Sequence, residues 1–235
     1  MNYTHSSPYS SNQRPQPVLA TPSAGPHSAD VKRVLRNTYA LLAMTLLFSA
    51  GVAVATLTLQ LPAPGLVLTL MGYFGLLYAV FKLQNSAWAL PTVFALTGFM
   101  GYTLGPLLTH SLALPGGVQT VALALAATGA TFLALSSYVL LTRRDVSFMG
   151  GFLFVGMMIA LMAGIAAVLM QIPALGLAVS AMVALLSVGL ILFETSRIVN
   201  GGETNYVIAT VSLYVSVFNL FTSLLSLLGF GGSNE

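Results

Sequence analysis

Seven apolar runs, at about 38–59, 66–82, 88–109, 118–141, 148–170, 174–199 and 205–229, leave this chain few ways to fold. At 1.5 Å rise per residue each run, wound as a helix, can cross a hydrocarbon core about 30 Å thick, the second only just. The expected fold is therefore an all-α membrane protein, a bundle of seven transmembrane helices. Composition agrees: 57% of the residues are hydrophobic and 6% are charged, far from the balance of a soluble domain.

The few charges are placed with a pattern. The connections Gln60 to Gly65, His110 to Gly117 and Gln171 to Pro173 carry no formal charge, whereas the alternate junctions hold Lys82, Arg143-Arg144 and Arg197, and Lys32, Arg33 and Arg36 precede the first span. Positive residues mark the cytoplasmic side, so the amino terminus is expected in the cytoplasm, the uncharged turns outside, and Glu235 outside. Basic residues spread along span ends control topology and form no nucleic-acid surface.

Residues 1–30 are rich in Ser, Pro, His, Asn and Gln and read as a disordered cytoplasmic tail, leaving 31–235 as the membrane domain. The run from Thr38 is too long for a secretory signal and lacks a small-residue cleavage site, so it is expected to stay as a helix. The absence of Cys removes disulfides, thiol nucleophiles and thiolate metal sites.

Against this background one acid stands out. Glu194 lies in the run from Ala184 to Arg197, and an ionised acid at bilayer depth costs about 2.5–3.5 kcal/mol on insertion scales, so such groups face a bundle interior or a watery cavity. Ser180, Ala184, Ser187, Ile191 and Glu194 recur on one face of the sixth span; Ser212, Ser216, Asn219, Ser223 and Ser226 do the same on the seventh. Measured along the helices, Glu194 sits about 9 Å below Asn200 and Ser212 about 10 Å below Asn205, so the two share a level. A polar stripe turned to lipid would leave Asn219 without partners, which directs it toward the bundle axis.

Two readings of these residues stay open. The serines serve close helix packing or line a polar site; Glu194 pairs locally with Arg197 at i+3 or acts as a protonatable group. Arg36, Lys82 and Asp145 are the further candidate charge partners, with Arg36 and Lys82 able to snorkel from helix ends. The turn Gln60-Leu-Pro-Ala-Pro-Gly reads much like Gln171-Ile-Pro-Ala-Leu-Gly at an offset of 111 residues, either an internal duplication or two short hairpins arriving at the same solution.

Several runs converge on a family. They are Val34-Leu-Arg36-Asn-Thr-Tyr39, Thr142-Arg-Arg-Asp145-Val-Ser147-Phe, Phe193-Glu194-Thr-Ser-Arg-Ile198, Gly201-Gly-Glu203-Thr-Asn-Tyr206 and Ser212-Leu-Tyr-Val-Ser216-Val-Phe-Asn219-Leu-Phe. Together they resemble the Bax inhibitor-1 family, also called the transmembrane Bax inhibitor motif family, over about residues 31–230, and in particular its bacterial inner-membrane branch. The resemblance implies a bundle whose last helix is surrounded by the other six. It also implies a partner, a membrane-anchored AAA protease of the FtsH type, whose turnover of membrane proteins the chain would restrain.

The same resemblance implies a pH-sensitive calcium leak sensed by two acids, one on the sixth helix and one on the seventh. Glu194 matches the first; the second position falls on Ser216, which carries no charge. Calcium takes six to eight oxygens and gains affinity from ligand charge, so a lone Glu binds it weakly. The remaining candidates for proton or cation sensing are Glu194 with Ser216, Ser212 and Asn219, with Arg197 as the partner that protonation would release.

Enzyme classes fare poorly. His5 and His27 lie in the tail and His110 on a loop, and no His-Glu-x-x-His motif occurs. Lys32 and Lys82 both fall outside the last span, which disfavours a retinal protein. No cofactor is expected.

Overall fold

The computed structural model describes residues 28–231. Seven helices follow one another: α1 Ser28–Thr58, α2 Leu66–Leu83, α3 Ala89–Ala113, α4 Gly117–Thr142, α5 Gly150–Met170 after a 3-10 turn at Ser147–Met149, α6 Pro173–Val199 and α7 Tyr206–Gly231. All seven are long and apolar enough to cross a bilayer, and no strand occurs among the described residues. The protein is an all-α, multi-pass membrane protein.

α1 begins ahead of its apolar run. Residues 28–30, read from sequence as the end of a polar tail, form its first turn, and Lys32, Arg33 and Arg36 ride on the turns that follow. The rest of the expected tail, 1–27, lies outside the described residues.

α7 is the central helix. Half of its apolar span is buried, against 6% for α2, and Val207, Ala209, Leu213, Tyr214 and Leu225 are almost wholly enclosed. It packs on α1, α3, α4 and α6; α2 rests on α3 and α5 on α6 as an outer layer. Four helices therefore surround α7 at first hand, two fewer than the resemblance implies. The Tyr214 hydroxyl lies 2.6 Å from Ser49 Oγ and 3.3 Å from the Thr97 carbonyl, tying α7 to α1 and α3 at once. A buried phenol ordinarily finds such partners.

α1 and α3 form the closest pair through small residues. A Cβ at Gly101 would collide with the Ser49 backbone carbonyl, and one at Gly105 with the Thr56 side chain, while Gly98 faces the Phe48 ring. Gly98, Gly101 and Gly105 are thus used for packing within the bundle. Without a hydrophobic driving force in lipid, such close backbone approach is what van der Waals cohesion between helices requires.

The two similar turns are built alike. Gln60 and Gln171 both adopt the left-handed conformation, at φ 50° and 54°. Leu61 and Ile172 each donate their N–H five residues back, to Thr56 and Ala167, at 3.1 Å in both cases. This is the reverse hydrogen-bond pattern that closes a helix end. The likeness stops at the turns: α1 packs extensively on α3, whereas α5, its counterpart at the same offset, packs on α6.

Candidate functional site

The basic ends of the helices gather at one end of the bundle, where three connections lock together. Ser196 on α6 uses all the hydrogen-bonding capacity of its hydroxyl. Its Oγ accepts from the Val146 N–H at 3.1 Å and from Asn200 Nδ2 at 3.1 Å, and donates to the Arg144 carbonyl at 3.0 Å. The α4–α5 connection is thereby fastened to α6. Asn205, just before α7, accepts from the Val207 N–H at 2.9 Å, a helix N-cap. Its Nδ2 donates to Gln84 Oε1 at 3.2 Å and Asn85 Oδ1 at 3.1 Å, fastening the α2–α3 connection.

Glu194 lies under this lock, 8% exposed, one turn inside the end of α6. Its Oε2 is 3.5 Å from Arg197 Nη1, and Arg197 Nη2 is 3.1 Å from Glu203 Oε2. The guanidinium also stands 5.6 Å from the centre of the Phe193 ring, a cation–π distance. Glu203 is held in turn: its Oε1 accepts the Asn205 N–H at 2.9 Å. The loop reaches this position by doubling back at Gly201, φ 75°, so that the Gly202 and Glu203 N–H groups donate to the Arg197 carbonyl at 2.8 and 3.1 Å. The result is an acid–arginine–acid triad joining the inside of α6 to the start of α7.

The other residues singled out from sequence fall in several places. Ser216 is buried and donates to the Ser212 carbonyl at 2.9 Å, satisfying itself within α7. Ile191 of α6 shares a packed cluster with Val217 of α7, which puts Ser212 and Ser216 within about a turn of the level of Glu194. Asn219 lies deeper and lines a different recess, between α2 and α5. Lys82 and Arg36 are exposed and make no ion pair among the described residues. Asp145 stays on its own loop, where the hydroxyl and backbone N–H of Ser147 hold its carboxyl below the usual range. Glu194 and Arg197 are thus together, while Lys82, Arg36 and Asp145 are not part of their ion-pair set. No cluster of three or more His, Cys, Asp or Glu side chains placed to hold a metal occurs among the described residues.

Sequence reasoning passed over Glu203, Asn205 and Ser196 as site residues. Asn205 carried a usable signal, a capping residue directly before an apolar run. Glu203 and Ser196 act across loops, which no helical period reveals.

The fold and its lock define a seven-helix membrane protein, built around α7, with a buried acid near its basic end. The family model described as inhibitor of apoptosis-promoting Bax1 matches residues 31–234, and the chain belongs to that family, Bax inhibitor-1. It is 52% identical to the modulator of FtsH protease YccA of Escherichia coli over 198 residues, 84% of this chain and 90% of that protein. An uncharacterized protein of Pseudomonas aeruginosa is 48% identical over 91% of this chain and 96% of its own length. An uncharacterized membrane protein of Vibrio cholerae is 42% identical over 93% and 99%.

Proposed function

We propose that this chain is an integral inner-membrane regulator, not an enzyme, that binds a membrane-anchored AAA protease of the FtsH type and modulates its turnover of membrane proteins. The observation that carries the reading is the 52% identity, over 84% of this chain, to a protein named as a modulator of that protease. In this reading the basic end faces the cytoplasm, as its lysines and arginines require. The locked connections then present a fixed surface on the side where such a protease keeps its soluble domains. Affinity capture of the tagged full chain from native membranes is the test. The protease is expected in the captured fraction, and its repeated absence at native expression would sink the reading. A companion chain lacking residues 2–27, which leaves α1 whole, separates the routes of contact: loss of capture assigns it to the tail, retention to the membrane domain.

A second reading, a pH-sensitive leak for protons or cations such as calcium gated by Glu194, draws support from the burial of that acid beside α7. The α6 hydroxyls of Ser187 and Thr195 are also buried without a hydrogen-bond partner among the described residues. Its weakness is Ser216, neutral where a second acid would add ligand charge. If Glu194→Gln in liposomes leaks cations at the unsubstituted rate from pH 5 to 8, this reading fails.

A further inference from the structure

Two recesses open sideways between helices, and they differ in one chemical respect. The first lies between α1 and α4, about 530 Å³, and its polar groups are all engaged: Tyr214 with Ser49, and Thr128 with the Ala124 carbonyl at 2.7 Å. Hydrocarbon fits such a space without cost. The second, about 470 Å³, lies between α2 and α5, two outer helices that make no extensive contact with each other. Its walls are Leu70, Phe74, Phe154, Met158 and other apolar side chains, yet Asn219 of α7 and Tyr73 of α2 also line it. Neither the Asn219 amide nor the Tyr73 hydroxyl has a hydrogen-bond partner among the described residues.

The two unmatched groups lie within about one helical turn of each other in depth. Tyr73 is about 10 Å along α2 from Leu66, and Asn219 about 15 Å along α7 from Gly229, both measured from the end opposite the basic lock. On α5 a similar depth is reached at Gly164, which also lines the recess. An amide offers two donors and an acceptor, and a phenol one donor and acceptor sites. Acyl chains supply neither, and polar groups left unpaired in hydrocarbon are costly.

We propose that the α2–α5 recess is a docking groove for a transmembrane helix of another protein, one that carries a hydrogen-bonding side chain about 10–15 Å below the membrane surface opposite the basic end. Apolar walls receive the body of the helix, and Asn219 with Tyr73 reads the polar residue. Methionines on the wall, Met157 and Met158, adapt to different helix surfaces. The groove accounts for an outer helix, α2, that is the least buried of the seven. This inference goes beyond the protease reading and stands whether or not that protease supplies the helix.

The test uses the full chain in liposomes, with Trp88→Phe and Phe74→Trp placing one fluorophore in the groove and phosphatidylethanolamine brominated in its acyl chains as quencher. A synthetic Leu/Ala transmembrane helix bearing a single Asn about 10–15 Å from one end is titrated against the same helix without it. The Asn helix is expected to relieve quenching at concentrations about threefold to tenfold lower, the range measured for interhelical hydrogen bonds in membranes. Asn219→Leu should abolish that advantage and Tyr73→Phe reduce it, with thermal unfolding confirming that both variants fold. Equal action of the two helices, an advantage that survives Asn219→Leu, or quenching by lipid that neither helix relieves would each overturn the proposal. The last result would assign the groove to lipid.

Discussion

Arg197 is held closer to Glu203 than to Glu194, at 3.1 Å against 3.5 Å, although Glu194 shares its helix. The stronger arm of the triad therefore runs out of the helix into the loop. Neutralising the two acids should have unequal effects. Glu203→Gln removes the charge that holds both Arg197 and the Asn205 N–H, at an expected cost of about 1–3 kcal/mol. Glu194→Gln relieves a buried charge while Arg197 keeps its other partner, so its cost should stay within about 1 kcal/mol. Thermal unfolding in detergent checks the order, and a reversed order would show that the inner arm carries the lock.

Ser196→Ala should loosen the α4–α5 connection without disturbing the bundle. Three hydrogen bonds end on that hydroxyl, and the Val146 N–H would lose its partner. Trypsin cleavage after Arg143 or Arg144 in the folded, detergent-solubilised protein is the readout, expected to accelerate several-fold, about 1 kcal/mol of local opening. Unchanged cleavage would mean that the connection is held by other contacts.

Gly101→Ala should destabilise more than Gly98→Ala. At Gly101 the obstacle is the backbone carbonyl of Ser49, which moves only if α1 moves; at Gly98 it is the Phe48 ring, which swings on its own torsions. Overpacking of the first kind costs about 1–3 kcal/mol. Melting temperatures of the two single variants, measured side by side, decide the matter.

Gln171→Gly should stabilise. The residue sits at φ 54°, a left-handed conformation in which a side chain is strained and glycine is not. A gain of up to about 1 kcal/mol is expected, and the same at Gln60, where φ is 50°. Refolding or thermal midpoints that fall in both variants would show that the glutamine side chains contribute more than the strain removes.

Much of this architecture is legible in the sequence. The seven helices follow from run length, and the central place of α7 is what the family resemblance implies, with Ser216 and Ser223 of its polar stripe buried as expected. What escaped has a common cause. The early start of α1 at Ser28 rests on polar residues with no helical period, and Glu203 and Ser196 earn their roles by meeting residues on other connections. Asn219 illustrates the limit from the other side. Its face is legible, but a sequence does not reveal that α2 and α5 stand apart where it lies, and periodicity alone groups it with Glu194.

The lock at the basic end has a mechanical consequence. At the far end α1, α3, α4 and α7 stay packed through Leu104, Ala124 and Leu225, so only the outer pair is left to splay like a fan, with little displacement near the binding and the most at the tips. Among the described residues, the side-chain hydrogen bond that joins distant parts of the chain at the far end is that of Tyr102 to the Pro62 carbonyl. Helices α2 and α5, tied through their connections at the basic end and free of each other at the far end, are the ribs such a fan would spread first. A small change at the triad would then be geared up along about 30 Å of helix into a larger change in the gap between them.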